Sequence, residues 1–122
     1  AFKGKHKNIK TKENIKNITE ELSKYRVFIC PLRYGAGVKK KVLDAMASKT
    51  PLVSTKFGYE GIIGMLNQSV SLQPDEFIKK TEELYRNKNI WNKVSVHNFK
   101  TVKKYYSMTS FEQYVKNLKK HL

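Results

Sequence analysis

Apolar residues fall in short blocks along the chain, separated by polar and glycine-rich stretches, and their spacing changes from block to block. The opening stretch AFKGKHKNIKTKENIKN, residues 1–17, holds six lysines against four apolar side chains. That is too little to feed a core, and it reads as a polar lead-in of loop or frayed chain. A patterned unit over 18–122 follows. Asn17 or Thr19 is placed to cap a short helix running to Tyr25, with Ile18, Leu22 and Tyr25 on one side. Val27 to Cys30 is a continuous apolar run closed by Pro31, the pattern of a parallel strand covered on both faces.

Gly35 and Gly37 then mark a tight loop, and Val38 opens a helical period. At about 100° per residue, Val38, Val42, Ala45 and Met46 share an arc extended by Leu43, while Lys40, Lys41, Asp44 and Ser48 lie opposite. Pro51 stops that helix and Leu52 to Thr55 reads as the next strand. Gly58, Gly61 and Gly64 break the chain into a loop or short helix before a third strand at Ser69 to Leu72. Three helices close the pattern. Pro74 starts the first, with Asp75 and Glu76 in its first turn and a stripe of Phe77, Ile78, Thr81, Leu84 and Tyr85. Trp91, Val94, Asn98, Val102 and Tyr105 or Tyr106 outline the second. Phe111, Tyr114, Val115, Leu118 and Leu122 outline the third, capped by Ser107 or Thr109. Strands alternating with helices predict an α/β fold, a parallel sheet with flanking helices.

At 122 residues this is one domain or part of one. No apolar run approaches the ~20 residues of a membrane-spanning helix, and no signal-peptide pattern opens the chain. The single cysteine, Cys30, excludes an internal disulfide and sits in an apolar run, so a buried, inert thiol in a reducing, cytoplasmic setting is expected. The net charge of +15 changes the picture more, because it attracts polyanions: nucleic acid, anionic lipid headgroups or a phosphorylated ligand. The lysines are nevertheless spread along the chain on polar helix faces, as in Lys79-Lys80, Lys103-Lys104 and Lys119-Lys120. No base-reading motif accompanies them and the aromatics fall on predicted buried stripes. The expectation is therefore solvated charge without a specific nucleic-acid partner, with peripheral membrane contact left open. His6, His97 and His121 lack metal-ligand spacing and Cys30 has no thiolate partner, so no metal is assigned.

The chemistry concentrates where the first strand hands over to a helix. In a doubly wound sheet ligands bind at the carboxyl ends of strands, before helix N-termini. Glycines at 35 and 37 let the backbone approach an anion, the first helical N–H groups attract phosphate, and Lys39 and Lys41 add mobile positive charge. Asp44, one or two turns in, is placed to accept hydrogen bonds from ribose hydroxyls. On these residues alone a ligand-free strand-to-helix turn fits equally well.

The stretch PLRYGAGVKKKVLDAMA, then TPLVST, then GYEGI, closely resembles the donor-site signature of retaining family-4 (group 1) glycosyltransferases. Downstream, Asp75–Arg86, Trp91, and Tyr106-Ser107 with Phe111 are similar to the family's later helix, tryptophan and terminal Tyr-Ser…Phe pattern, so the resemblance spans roughly residues 18–120. It implies the C-terminal part of the Rossmann-like donor domain of a two-domain GT-B enzyme of glycan biosynthesis. The acceptor-binding N-terminal domain and the first strands of the donor domain are not in this stretch. The implied reaction is transfer of a hexose, with retention, from a nucleoside diphosphate sugar to a saccharide or lipid. The nucleotide sugar is then a co-substrate and no further cofactor is expected. Carried over by residue, Gly35 and Gly37 lie under the donor diphosphate, Lys39 and Lys41 neutralise it, and Asp44 stands where the family has a ribose-binding glutamate. Arg33 near the loop and Glu60 between Gly58 and Gly61 are the further candidates, and no catalytic residue is assigned. Lys49 stands where the family has a helix-ending glycine, which predicts left-handed backbone at a lysine.

Overall fold

The computed structural model describes residues 6–121. Its elements are α1 (Ile18–Leu22), β1 (Phe28–Cys30), α2 (Lys40–Ala47), β2 (Leu52–Thr55), α3 (Lys56–Tyr59), a 3-10 turn (Asn67–Ser69), β3 (Val70–Ser71), α4 (Pro74–Arg86), α5 (Lys88–Tyr105) and α6 (Met108–Lys120). The three strands form one parallel sheet in the order β1-β2-β3, with Phe28, Ile29 and Cys30 opposite Leu52, Val53 and Ser54, and Ser54 and Thr55 opposite Val70 and Ser71. The predicted α/β class holds: a parallel sheet with flanking helices, as in a Rossmann-like unit.

Strand alternation divides the core. On one face Cys30 and Leu52 join Val42, Ala45 and Met46 of α2, with Tyr59 and Val102. On the other, Val53 meets Leu84 of α4 and Val94 of α5, flanked by Val27, Leu66, Phe77 and Ile90. Long α5 thus serves both faces, Val94 on one and Val102 on the other. Cys30 is buried as expected, and burial pushes the Tyr59 phenol well above its ordinary range. Neither side-chain polar atom of buried Asn98 has a hydrogen-bond partner among the described residues.

Several expected burials fail for identifiable reasons. Ile29 is 50% exposed because α4 covers β2 and β3 and leaves that face of β1 open. Val38 precedes the helix and is exposed, since α2 begins only at Lys40. Tyr25 lies beyond α1, which ends at Leu22, and its hydroxyl donates to Glu21. Tyr85, Tyr105 and Ile78 are also exposed. Lys80, read as a solvated lysine, is largely buried: its ammonium donates to Asn67 O at 2.7 Å and pairs with Glu76. Leu122, and the side chains of Thr109, Phe111 and Tyr114, lie outside the described residues.

The ends of elements follow local chemistry. Asn17 caps α1 by accepting from Glu20 N at 3.0 Å. Lys12 ties the lead-in segment to α1 through Glu21; Lys12, Tyr25 and Lys24 hold that carboxyl down at about 2. Pro74 occupies the first turn of α4 with Asp75 and Glu76 beside it.

At the end of α2, Thr50 N reaches Ala45 O at 3.1 Å and Lys49 N reaches Met46 O at 3.3 Å, with Lys49 at φ 61°. This is the paired closure of a Schellman motif, with lysine where glycine is favoured. Left-handed backbone costs a non-glycine residue roughly 1–2 kcal/mol. The Lys49 ammonium recovers part of this over the Phe99 ring, 4.6 Å from its centroid, an exposed cation–π contact of ~0.5–1 kcal/mol. Lys49→Gly is expected to raise stability by about 0.5 kcal/mol, the difference of these terms. Lys49→Ala, which loses the ring contact and keeps the strain, is expected to lower it. Urea midpoints ranked in any order other than Gly, Lys, Ala would refute this account.

Candidate functional site

The carboxyl ends of all three strands open on one side of the sheet and wall a cleft of about 740 Å³. Pro31, Leu32 and Arg33 contribute from the exit of β1, Thr55, Lys56 and Phe57 from β2, and Ser71 to Pro74 from β3, with Phe77 and Ile78 of α4. This placement explains Ile78: it faces the cleft instead of the core. Two hydroxyls brace the strand exits, Thr55 Oγ1 donating to Leu32 O at 2.5 Å and Ser71 Oγ to Gln73 O at 2.8 Å. A second depression, about 610 Å³, lies at the α4–α5 junction between Lys79 and Asn89. α4 starts at the exit of β3 and runs back for 13 residues, about 20 Å. Its far end, and this depression with it, therefore lies away from the strand exits.

The glycine loop leads from β1 to α2. Gly35 has φ 133° and Gly37 φ 78°, both in territory that favours glycine. At Gly35 space matters too, since a Cβ would stand 3.1 Å from Lys39 Cε. Lys39 is the N-cap residue of α2 but makes no capping bond through its side chain. Its arm folds back over the loop instead, and Nζ donates to Ala36 O at 2.9 Å and Gly37 O at 2.7 Å. Lys39 is therefore not the mobile charge its position suggested, because two loop carbonyls hold it. Val42 N and Leu43 N turn back to Lys39 O at 3.1 and 3.3 Å, while the amides of Lys40 and Lys41 at the mouth of α2 receive no cap from the N-cap side chain.

Lys41 is exposed on α2. Asp44 is on the same polar arc, but its partner is Lys40, at 2.8 Å; the Asp44 side chain is 19% exposed and that of Lys40 82%. Arg33 is exposed at the junction of loop and cleft. Glu60 is exposed and ends α3. Next to it Gly61, at φ 79°, sits so close to the loop before α2 that a Cβ would come 2.7 Å from Val38 Cγ2. The structure thus brings the Glu60–Gly61 turn against the segment that carries Gly37 and Lys39.

Thr55, Lys56, Ser71 and Gln73 at the strand exits were given no site role from the sequence, because they sit at the ends of separate strands that only the sheet brings side by side. Nor did the sequence assign to the site two residues that grip the turn after α3, His97 of α5 and Tyr106 at its C-cap. His97 Nε2 lies 2.5 Å from Gly64 O, and the Tyr106 hydroxyl stands 3.0 Å from both Gly61 O and Ile63 N. Among the described residues no group of three His, Cys, Asp or Glu side chains is arranged to hold a metal, and no helix is long and apolar enough to cross a membrane.

A family model described as glycosyl transferases group 1 matches residues 1–87, a span that takes in the glycine loop, α2, all three strand exits and α4. No curated protein and no solved structure matches the chain.

Proposed function

Because the chain belongs to the group 1 glycosyltransferases, we propose that residues 18–122 form the C-terminal part of a nucleotide-sugar-binding domain in a retaining, family-4 enzyme of GT-B type, with residues 1–17 leading into it. The observation that carries this reading is the glycine loop at the uncapped N-terminus of α2, beside a cleft at the strand exits. The donor diphosphate lies over Gly35 and Gly37, where backbone can approach closely and the helix N-terminus favours negative charge. Lys39 fits this role while holding the loop: an ammonium has three donors, and two loop carbonyls use only two. Lys41 and Arg33 supply further positive charge, and Glu60 borders the site. Asp44 accepts from the ribose hydroxyls, its exposed pairing with Lys40 being too weak to compete.

The bond broken is between the sugar's anomeric carbon and the diphosphate oxygen, so charge develops on the departing diphosphate. Fixed N–H groups and lysines aimed at that oxygen stabilise it without reorganising. The acceptor, a saccharide or lipid, is held by a separate N-terminal domain, with glycan synthesis at the cytoplasmic side of a membrane as the setting. No metal or further cofactor is required by this arrangement. Nucleic acid is not a specific partner.

Titration of the protein with UDP, GDP and their glucose or mannose conjugates at ~150 mM salt tests the reading. Saturable binding of one nucleotide, displaced by pyrophosphate, is expected. Tight binding to one DNA or RNA sequence, with no nucleoside diphosphate bound at millimolar concentration, would instead assign the charge to nucleic acid.

A further inference from the structure

The turn after α3 is held from outside by α5. Within the turn, Ile62 N donates to Tyr59 O at 2.8 Å. Beyond that, Ile63 N donates to the Tyr106 hydroxyl, and the same hydroxyl donates to Gly61 O, each at 3.0 Å. One phenol therefore acts as both acceptor and donor, fixing two backbone groups of the turn two residues apart. His97, nine residues earlier on α5, sits against Gly64 O. The other side of the turn presses on the segment before α2, where Gly61 lacks the Cβ that would collide with Val38. Val38 lies between Gly37 and Lys39. A continuous path of contacts thus runs from Tyr106 through Gly61 and Val38 to the glycine loop.

We propose that Tyr106 is a positioning residue of the donor site: its hydroxyl sets the Gly61–Ile63 turn, and the turn sets the glycine loop for the diphosphate. The proposal rests on the donor-site reading above. Both backbone groups gripped by the phenol are in exposed residues, where water replaces a lost partner at little cost to folding. Order in the turn has no such substitute. Tyr106 therefore affects binding more than stability, which separates it from a packing residue.

The test compares wild type with Tyr106→Phe, which keeps the ring and removes the hydroxyl, and uses Tyr105→Phe on the exposed neighbouring tyrosine as control. Three readouts are taken: the thermal melt, amide hydrogen exchange at Ile63, and the Kd for UDP and GDP. Tyr106→Phe is expected to melt within about two degrees of wild type, to exchange the Ile63 amide roughly tenfold faster, and to bind the preferred nucleotide roughly three- to tenfold more weakly. Tyr105→Phe is expected to match wild type throughout. Wild-type affinity in Tyr106→Phe, with Ile63 exchange accelerated, would overturn the inference while leaving the donor site intact. Absence of UDP and GDP binding in wild type would sink the donor-site reading and this inference with it. If Tyr106→Phe melts early, Gly61→Ala approaches the contact from the other side, pushing on Val38. Weaker nucleotide binding then supports the path, and unchanged binding overturns it.

Discussion

Replacing Gly58 by alanine is expected to destabilise the fold by about 4 kcal/mol, as overpacking and a displaced buried hydroxyl act together. Gly58 lies inside α3 with ordinary helical backbone, so left-handed geometry plays no part. Space decides it. A Cβ there would stand 1.8 Å from Ser54 Oγ, 3.0 Å from Ser54 Cβ and 3.4 Å from Cys30 Sγ. Ser54 is fully buried in the central strand, and its one hydroxyl proton is shared between Cys30 O at 3.1 Å and Thr55 O at 3.0 Å. It has no room to yield and loses bonds if it turns. Overpacking of this kind costs about 1–3 kcal/mol, and an unsatisfied buried hydroxyl adds about 1–3 kcal/mol. Native domains are stable by only about 5–15 kcal/mol in total. The measurement is a urea midpoint at unchanged m. Ser54→Ala in the same chain removes the 1.8 Å collision and leaves the 3.0 Å one, so it should recover about half the loss, a strongly non-additive pair. Independent, additive effects would show that α3 does not pack on β2 as described.

Gly58 also illustrates what a sequence reveals about such a fold. As one glycine among three in a short stretch it reads as loop punctuation, yet its necessity arises from a strand four residues earlier and a cysteine on another strand. Local patterns were legible: the runs at β1 and β2, the apolar arc of α2 carrying Val42, Ala45 and Met46, the proline start of α4, and even the left-handed backbone at Lys49. Each is decided by residues within one turn or one strand. What depends on which face another element covers was not legible. Ile29 looks identical to Val53 in sequence and differs only because α4 stops short of β1. Ile78 belongs to the apolar stripe of α4 by spacing, and the cleft draws it out. The candidate site divides in the same way. The glycine loop and its helix are consecutive and readable, whereas the cleft walls come from three separate strand exits. The Tyr106 contacts join positions more than 40 residues apart.

Asp44→Asn is expected to raise the donor KM of the complete enzyme by about 10–100-fold while leaving the fold nearly unchanged. The structural side comes first. Asp44 lies away from the buried arc of α2, and its partner is the exposed ammonium of Lys40, one turn earlier. A pair of that spacing, with the basic residue first, contributes no more than about 0.5 kcal/mol, so the melt should move little. The binding side follows from the proposed donor pose. A carboxylate accepting from ribose hydroxyls makes a charge-assisted bond of about 1.5–3 kcal/mol, and each ~1.4 kcal/mol is tenfold. Ribose is remote from the bond being broken, and a contact equal in ground and transition states appears in KM with kcat unchanged. Asp44→Glu supplies the counter-test, since it restores the longer carboxylate of the family pattern on the same helical face. Its KM should fall to the wild-type value or below it. Kinetics over several nucleotide sugars, beside a thermal melt of each variant, give a clear division. An intact fold with unchanged KM in Asp44→Asn removes the residue from the site, and an early melt makes the Lys40 pair structural. A lowered kcat at constant KM would move Asp44 from holding ribose to acting on the departing diphosphate.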